Sequence, residues 1–216
     1  MRLDSHVLLR QATVLVLAAH TDDEFGCAGT IARLIESGAE VHYIALSRCE
    51  ESVPPGFPAD VLEGECRACT RLLGIESDRV RVEGFRVRHF PAYRQDILEL
   101  LVRLRREIEP ALVLLPSSYD THQDHATVCE EGFRAFKSSS ILGYELPQNL
   151  ISFHHSAFVS LEERHIERKI AALGAYASQA FRRYAAPEFV RSLGSVRGVQ
   201  CDAPYAEAFE VVRLIL

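Results

Sequence analysis

The sequence predicts an α/β fold, a mostly parallel sheet with helices on both faces. Short β-branched apolar runs alternate with amphipathic segments over about two-thirds of the chain, the signature of βαβ units. The runs read as strands buried in a sheet rather than as solvent-facing ribbons. The chain has 216 residues, 48% of them hydrophobic and 25% charged, which suits one large globular domain.

The elements follow in order. "ATVLVLAA" (12–19) is a buried strand. "AGTIARLIESG" (28–38) is a helix with Ile31, Leu34 and Ile35 at helical spacing and Gly38 as its stop. "EVHYIALS" (40–47) is the second strand, and "EESVPPGFPAD" (50–60) is a loop set by prolines and a glycine. A helix over 60–75 ends at Gly74, and a short alternating strand follows over 78–85. In the helix over 93–110, Ile97, Leu98, Leu101, Leu104 and Ile108 line one face, and Pro110 ends it. "ALVLLP" (111–116) is a strand, "SSYDTHQDH" (117–125) a polar loop, 126–138 a helix and 141–146 a strand. Beyond these lie the short runs "ISFHH" and "AFVS", a helix near "EERHIERKIAALGAY" and an apolar end, "AEAFEVVRLIL". The expected organisation is one domain over 1–216, with a core at about 12–145 and a C-terminal extension at about 146–216.

Lys and Arg number 24 against 30 Asp and Glu, a formal net charge of −6, and no basic block points to nucleic acid; the local clusters "RLRRE" and "FRRY" read as solvated helix faces. "MRLDSHVLLRQ" lacks the apolar core of a signal peptide, and no run is long enough to span a bilayer. A cytoplasmic protein with free thiols is the expectation; a homo-oligomer stays open. Cys66 and Cys69 form a C-x-x-C inside a helical pattern and read as two core-facing thiols.

Two polar clusters stand out. "HTDDE" follows the first strand directly, and "THQDH" follows "ALVLLP" by a few residues. In parallel sheets, sites gather at the carboxyl ends of strands. His20, Asp22, Asp23, His122, Asp124 and His125 are therefore expected to converge. Such a set suits catalytic zinc, with three His or carboxylate ligands and a fourth position for water. Bound water then ionises near neutral pH, a carboxylate takes its proton, and a histidine steadies the oxyanion or protonates the leaving group. Nitrogen ligands disfavour calcium and magnesium. The plainer alternative is capping, by Asp22, Asp23 or Thr30 at the first helix and by Asp120 or Thr121 at the later one. A nucleotide-binding module fits poorly, since no G-x-G-x-x-G follows the first strand and the acidic cluster would repel phosphates.

"AAHTDDE" resembles the A-H-x-D-D-E signature of the LmbE/PIG-L-like zinc-dependent N-deacetylases, and "HQDHATV" resembles their H-x-D-H motif. "ECRACTRLLGI" and the tail "YAEAFEVVR" are also similar, and the resemblance covers about residues 12–145. It implies a Rossmann-like fold and hydrolysis of an N-acetyl group on an N-acetylglucosamine-type sugar or conjugate. A zinc amidase on another amide is the neighbouring reading. By position, the resemblance makes His20, Asp23 and His125 ligands of one Zn2+ and Asp22 the general base. His122 becomes the oxyanion or leaving-group residue, Asp124 the group that orients a histidine, His122 foremost, and Glu24 a supporting residue. Iron could occupy the same ligands. Two positions depart from the pattern. Thr21 stands where many members have proline, which relaxes the turn. Leu62 stands where some have a substrate-contacting arginine, leaving Arg48 and Arg88 as candidate substrate contacts.

Overall fold

The computed structural model describes residues 11–215. Among them, seven strands form one sheet: β1 (Thr13–Ala18), β2 (Glu40–Ala45), β3 (Val80–Val82), β4 (Leu112–Pro116), β5 (Ser140–Tyr144), β6 (Ala157–Leu161) and β7 (Tyr205–Arg213). The helices are α1 (Ala28–Glu36), α2 (Val61–Leu73), α3 (Arg94–Ile108), α4 (Gln123–Ala135), α5 (Glu163–Leu173) and α6 (Pro187–Val199). The strand order is β3-β2-β1-β4-β5-β7-β6. The first five are parallel, and β7 runs antiparallel between β5 and β6. The α/β sheet predicted from the sequence is the one observed.

The strands alternate as a doubly covered sheet requires. Val14, Val16 and Ala18 face one layer, packed with Ile31 and Leu34 of α1, Cys66 and Cys69 of α2 and Ile166 of α5. Leu15, Leu17 and Ala19 face the other, packed with Ile97, Leu101 and Leu104 of α3 and Val128 of α4. Cys66 and Cys69 are fully buried and free, so they are core residues. Burial also pushes both thiols up, away from the reactive thiolate. No helix among the described residues is long and apolar enough to cross a membrane.

Strand order reverses at β1: β2 and β3 lie to one side, β4 and β5 to the other. The carboxyl ends of β1 and β4 therefore flank the crevice where open α/β sheets place their sites. Both polar clusters emerge there.

Some element bounds differ from expectation. The strand over 78–85 shrinks to Val80–Val82, because a 3-10 turn takes Ser77–Arg79. Helix α4 starts at Gln123 rather than 126, so the second motif lies on its first turn instead of in a loop. His122 is its cap, with Nδ1 accepting the Asp124 N–H at 3.1 Å; neither Asp120 nor Thr121 caps it. At α1 no side chain of Asp22, Asp23 or Thr30 caps the amides. The Gly29 and Thr30 N–H groups donate to the Glu207 carboxylate of β7, at 3.0 and 2.6 Å. Lys169 of α5 neutralises Glu207 at 2.7 Å.

Helix α6 has no counterpart in the sequence reading, because its two glycines and β-branched residues weaken the helical signal. The glycines serve packing. A Cβ on Gly198 would lie 2.5 Å from the Ala203 carbonyl and 2.9 Å from that of Pro204. Gly198→Ala is expected to destabilise the protein by about 1–3 kcal/mol, read from a denaturant midpoint at unchanged slope. An unchanged midpoint would show that the 203–204 turn yields freely.

Candidate active site

His20, Asp22 and Asp23 leave β1 in a tight turn that runs into a 3-10 turn, Asp23–Gly26. That turn carries no proline, yet it is not relaxed. The buried Thr21 carbonyl accepts hydrogen bonds from Tyr43 at 3.2 Å and from Tyr176. Two phenols from β2 and the α5 terminus thus do the work of a rigid residue at 21. Glu24 is wholly buried and accepts from Tyr43 at 2.8 Å. Burial pushes its carboxyl up to about 7, against the hydrogen bonds it receives. It supports the turn and does not line the cleft.

Three donor atoms converge. His125 Nε2 lies 2.9 Å from His20 Nδ1 and 3.3 Å from Asp23 Oδ1, and His20 Nδ1 lies 3.6 Å from Asp23 Oδ1. Ligands about 2.0–2.1 Å from a tetrahedral zinc sit about 3.3 Å apart along each edge. The triangle has that size.

The outer atoms of the same residues are all engaged. His20 Nε2 meets Asp124 at 3.1 Å, His125 Nδ1 meets Asp120 at 2.7 Å, and Asp23 Oδ2 accepts the His20 N–H at 2.8 Å. Carboxylates behind imidazoles fix tautomer and ring orientation at metal sites. Burial opposes charge on His20 and His125, but Asp23 with Asp124 or Asp120 overrides it, raising them to about 9 and 10. Burial likewise opposes charge on Asp23, but His125 and His20 hold its carboxyl well below the usual range. Two imidazoles crowded onto one carboxylate draw protons to the centre, where a cation would supply that charge instead. The donor set fits a divalent metal.

The partner of Asp124 differs from expectation. Its carboxylate meets His20, not His122, and also accepts the N–H groups of Arg88 and Phe90. His122 has already turned Nδ1 toward the Asp124 amide. Asp120, which the sequence offered only as a cap, holds His125 and accepts the His122 N–H at 2.8 Å. Asn149 reaches the same carboxylate at 3.3 Å. Asp120→Ala is expected to weaken metal binding by about 10- to 100-fold, measured by chelator competition. Unchanged affinity would show that His125 needs no brace.

His122 is half-buried, its ring 4.8 Å from those of His20 and His125. The ligand atoms of these three histidines lie within 4.8 Å of one another, a looser set than the one containing Asp23. Burial and the two neighbouring imidazoles lower its pKa, so the ring is neutral. Asp22 is partly buried beside Asp23, and burial with that neighbour raises its carboxyl. These residues border a cavity of about 270 Å³. Arg88 lines it; Arg48 does not, and its Nε instead lies 3.4 Å from Glu63 of α2. Leu62, Gln179, Arg182 and Tyr184 also line it. The last three come from the extension; Arg182 and Tyr184 belong to "FRRY", which lies in the cleft wall and not on a solvated helix face.

Residues 15–136 match the profile of PIG-L, GlcNAc-PI de-N-acetylase. The chain belongs to the PIG-L family of de-N-acetylases. The uncharacterized deacetylase YaiS of Escherichia coli is 26% identical over 165 residues, 74% of this chain and 88% of that one. The conserved protein TT1542 from Thermus thermophilus superposes with a TM-score of 0.80 at 26% identity, over 95% of this chain and 96% of its own. The N,N'-diacetylchitobiose deacetylase of Pyrococcus horikoshii superposes at 0.74 with 22% identity, covering 92% of this chain and 83% of its own. At that identity the likeness is one of fold. Both PIG-L motifs of the present chain fall within the matched residues, at the one sheet edge where the cavity opens.

Proposed function

We propose that the protein is a zinc-dependent N-deacetylase. Its substrate is an N-acetylated amino sugar or sugar conjugate of the N-acetylglucosamine type, and its products are acetate and a free amine. The observation that carries the reading is the triangle of His20, Asp23 and His125 donors, 2.9–3.6 Å on a side, with Asp22 and His122 bordering the same cavity. A divalent cation held there supplies Lewis acidity and a water that ionises near neutral pH.

The chain's own groups do the rest. Asp22 accepts the proton of the attacking water, and its raised pKa makes it a better base than an exposed aspartate. His122 is neutral with Nδ1 occupied as an acceptor, so its proton resides on Nε2. That N–H donates to the oxygen on which charge develops, which favours the oxyanion role over proton delivery. The proton taken by Asp22 is then the one available to the departing amine. Asp124, Asp120 and Asn149 keep the imidazoles in place.

The six free cysteines suit the reducing cytoplasm expected from the sequence. The test couples metal analysis of the purified protein to acetate release from N-acetylglucosamine and its conjugates. About one zinc per chain with released acetate supports the reading; no metal and no acetate overturns it.

A further inference from the structure

One arginine of the cavity wall has donors to spare. Arg182 lies on the segment between α5 and α6, half-buried, and lines the cleft together with Asp22 and His122. Its Nε donates to Gln179 Oε1 at 3.1 Å. Among the described residues no hydrogen bond or ion pair engages its Nη groups, although its charge reaches Asp22 and works against the rise in that carboxyl's pKa. The cleft's other arginine, Arg88, is already tied to Glu51, donating to its carbonyl at 3.2 Å.

Arg182 is also held. Glu65 of α2 is buried and accepts the Ser178 N–H at 2.8 Å and the Ser178 hydroxyl at 2.5 Å. Gln179 donates to that hydroxyl at 3.2 Å and receives Arg182. The guanidinium carbon lies 5.1 Å from the Phe181 ring and 5.9 Å from the Tyr184 ring. A run of hydrogen bonds starting on α2 thus ends in a flat cation at the cleft. On the same wall, position 62 of α2 contributes only an apolar side chain.

We propose that Arg182 is the substrate-binding cation of this cleft, donating to vicinal hydroxyls of the sugar ring that carries the acetamido group. The inference rests on the amino-sugar reading above. The vicinal hydroxyls of a sugar suit a planar fork of N–H donors. Because the contact is made before and during reaction alike, its loss falls on KM rather than on kcat.

The experiment compares wild-type protein with Arg182→Ala and Arg182→Lys on N-acetylglucosamine and on N-acetylcyclohexylamine, an acetamide without hydroxyls. Glucosamine binding is measured by calorimetry, and zinc content and Tm are recorded for each variant. Arg182→Ala should raise KM for the sugar by about 10- to 100-fold, the worth of hydrogen bonds to a charged group. Its kcat, read on the plateau of the pH profile because the Arg182 charge also acts on Asp22, should stay within about threefold, Arg182→Lys should fall between, and KM for the hydroxyl-free amide should not move. Glucosamine affinity should fall in parallel. An equal effect on both amides would make Arg182 a prop of the wall, and no effect on either would make it a bystander; each overturns the proposal. If wild-type protein cleaves the hydroxyl-free amide but neither cleaves the acetylated sugar nor binds glucosamine, the sugar assignment falls and takes this proposal with it. Acetate release with an unmoved KM removes Arg182 alone.

Discussion

His125→Ala should purify without zinc and release no acetate above background, and Asp23→Ala should do the same. His122→Ala should keep about one zinc per chain and lose activity by about 10²- to 10³-fold, the range for removing one oxyanion donor. The contrast follows from geometry. Asp23 Oδ1 and the two imidazole nitrogens form a triangle of 2.9, 3.3 and 3.6 Å. The ligand atoms of the three histidines spread to 4.8 Å, and His122 has spent Nδ1 on the Asp124 amide. A tetrahedral cation selects the tighter set. His125 is 2% exposed, so truncation also leaves a void, and a denaturant curve must show that the variant is folded. A zinc-free His122→Ala together with a zinc-replete Asp23→Ala would invert the assignment and make the three histidines the ligands.

Much of this site was legible because its chemistry is local in sequence. Each motif packs its histidines and aspartates into one turn after a buried strand, and parallel pairing of β1 with β4 brings the two turns together. The supporting contacts are not local, so the sequence hid them. The resemblance paired Asp124 with His122 foremost, yet the first turn of a helix points it across to His20. Asp120 resembled a cap because Asp before a helix often is one; only the fold shows His125 Nδ1 at 2.7 Å. The tail "YAEAFEVVR" carried a family likeness but no role for its two glutamates. In the sheet, Glu207 caps α1 and Glu210 holds Ser117 and Ser118 at 2.8 and 2.6 Å, so one strand braces the loops behind both motifs. Arg182 sat in "FRRY", which read as a solvated face, and its route into the cleft depends on Glu65, more than a hundred positions earlier.

Asp22→Asn should keep its zinc and lose about 10²- to 10⁴-fold in kcat, the worth of a positioned general base. The substitution is nearly isosteric and touches none of the three convergent donors. A fall in metal content would therefore show that Asp22 is itself a ligand. The adjacent aspartates differ in what faces them, and the proposed roles follow that difference. Asp23 turns its carboxylate inward, to two imidazoles and its own turn amide, and is held ionised. Asp22 borders the cavity, and burial beside Asp23 raises its proton affinity. A group on the metal must not carry a proton, and a group that shuttles one must. Exchanging the two tests this division directly. Asp23→Asn should cost metal first and activity as a consequence, with added zinc restoring part of the rate. Asp22→Asn should be indifferent to added zinc, because what it lacks is a place for the water's proton. Full activity in Asp22→Asn would transfer the base role to another group of the cleft and would leave the raised carboxyl without a task.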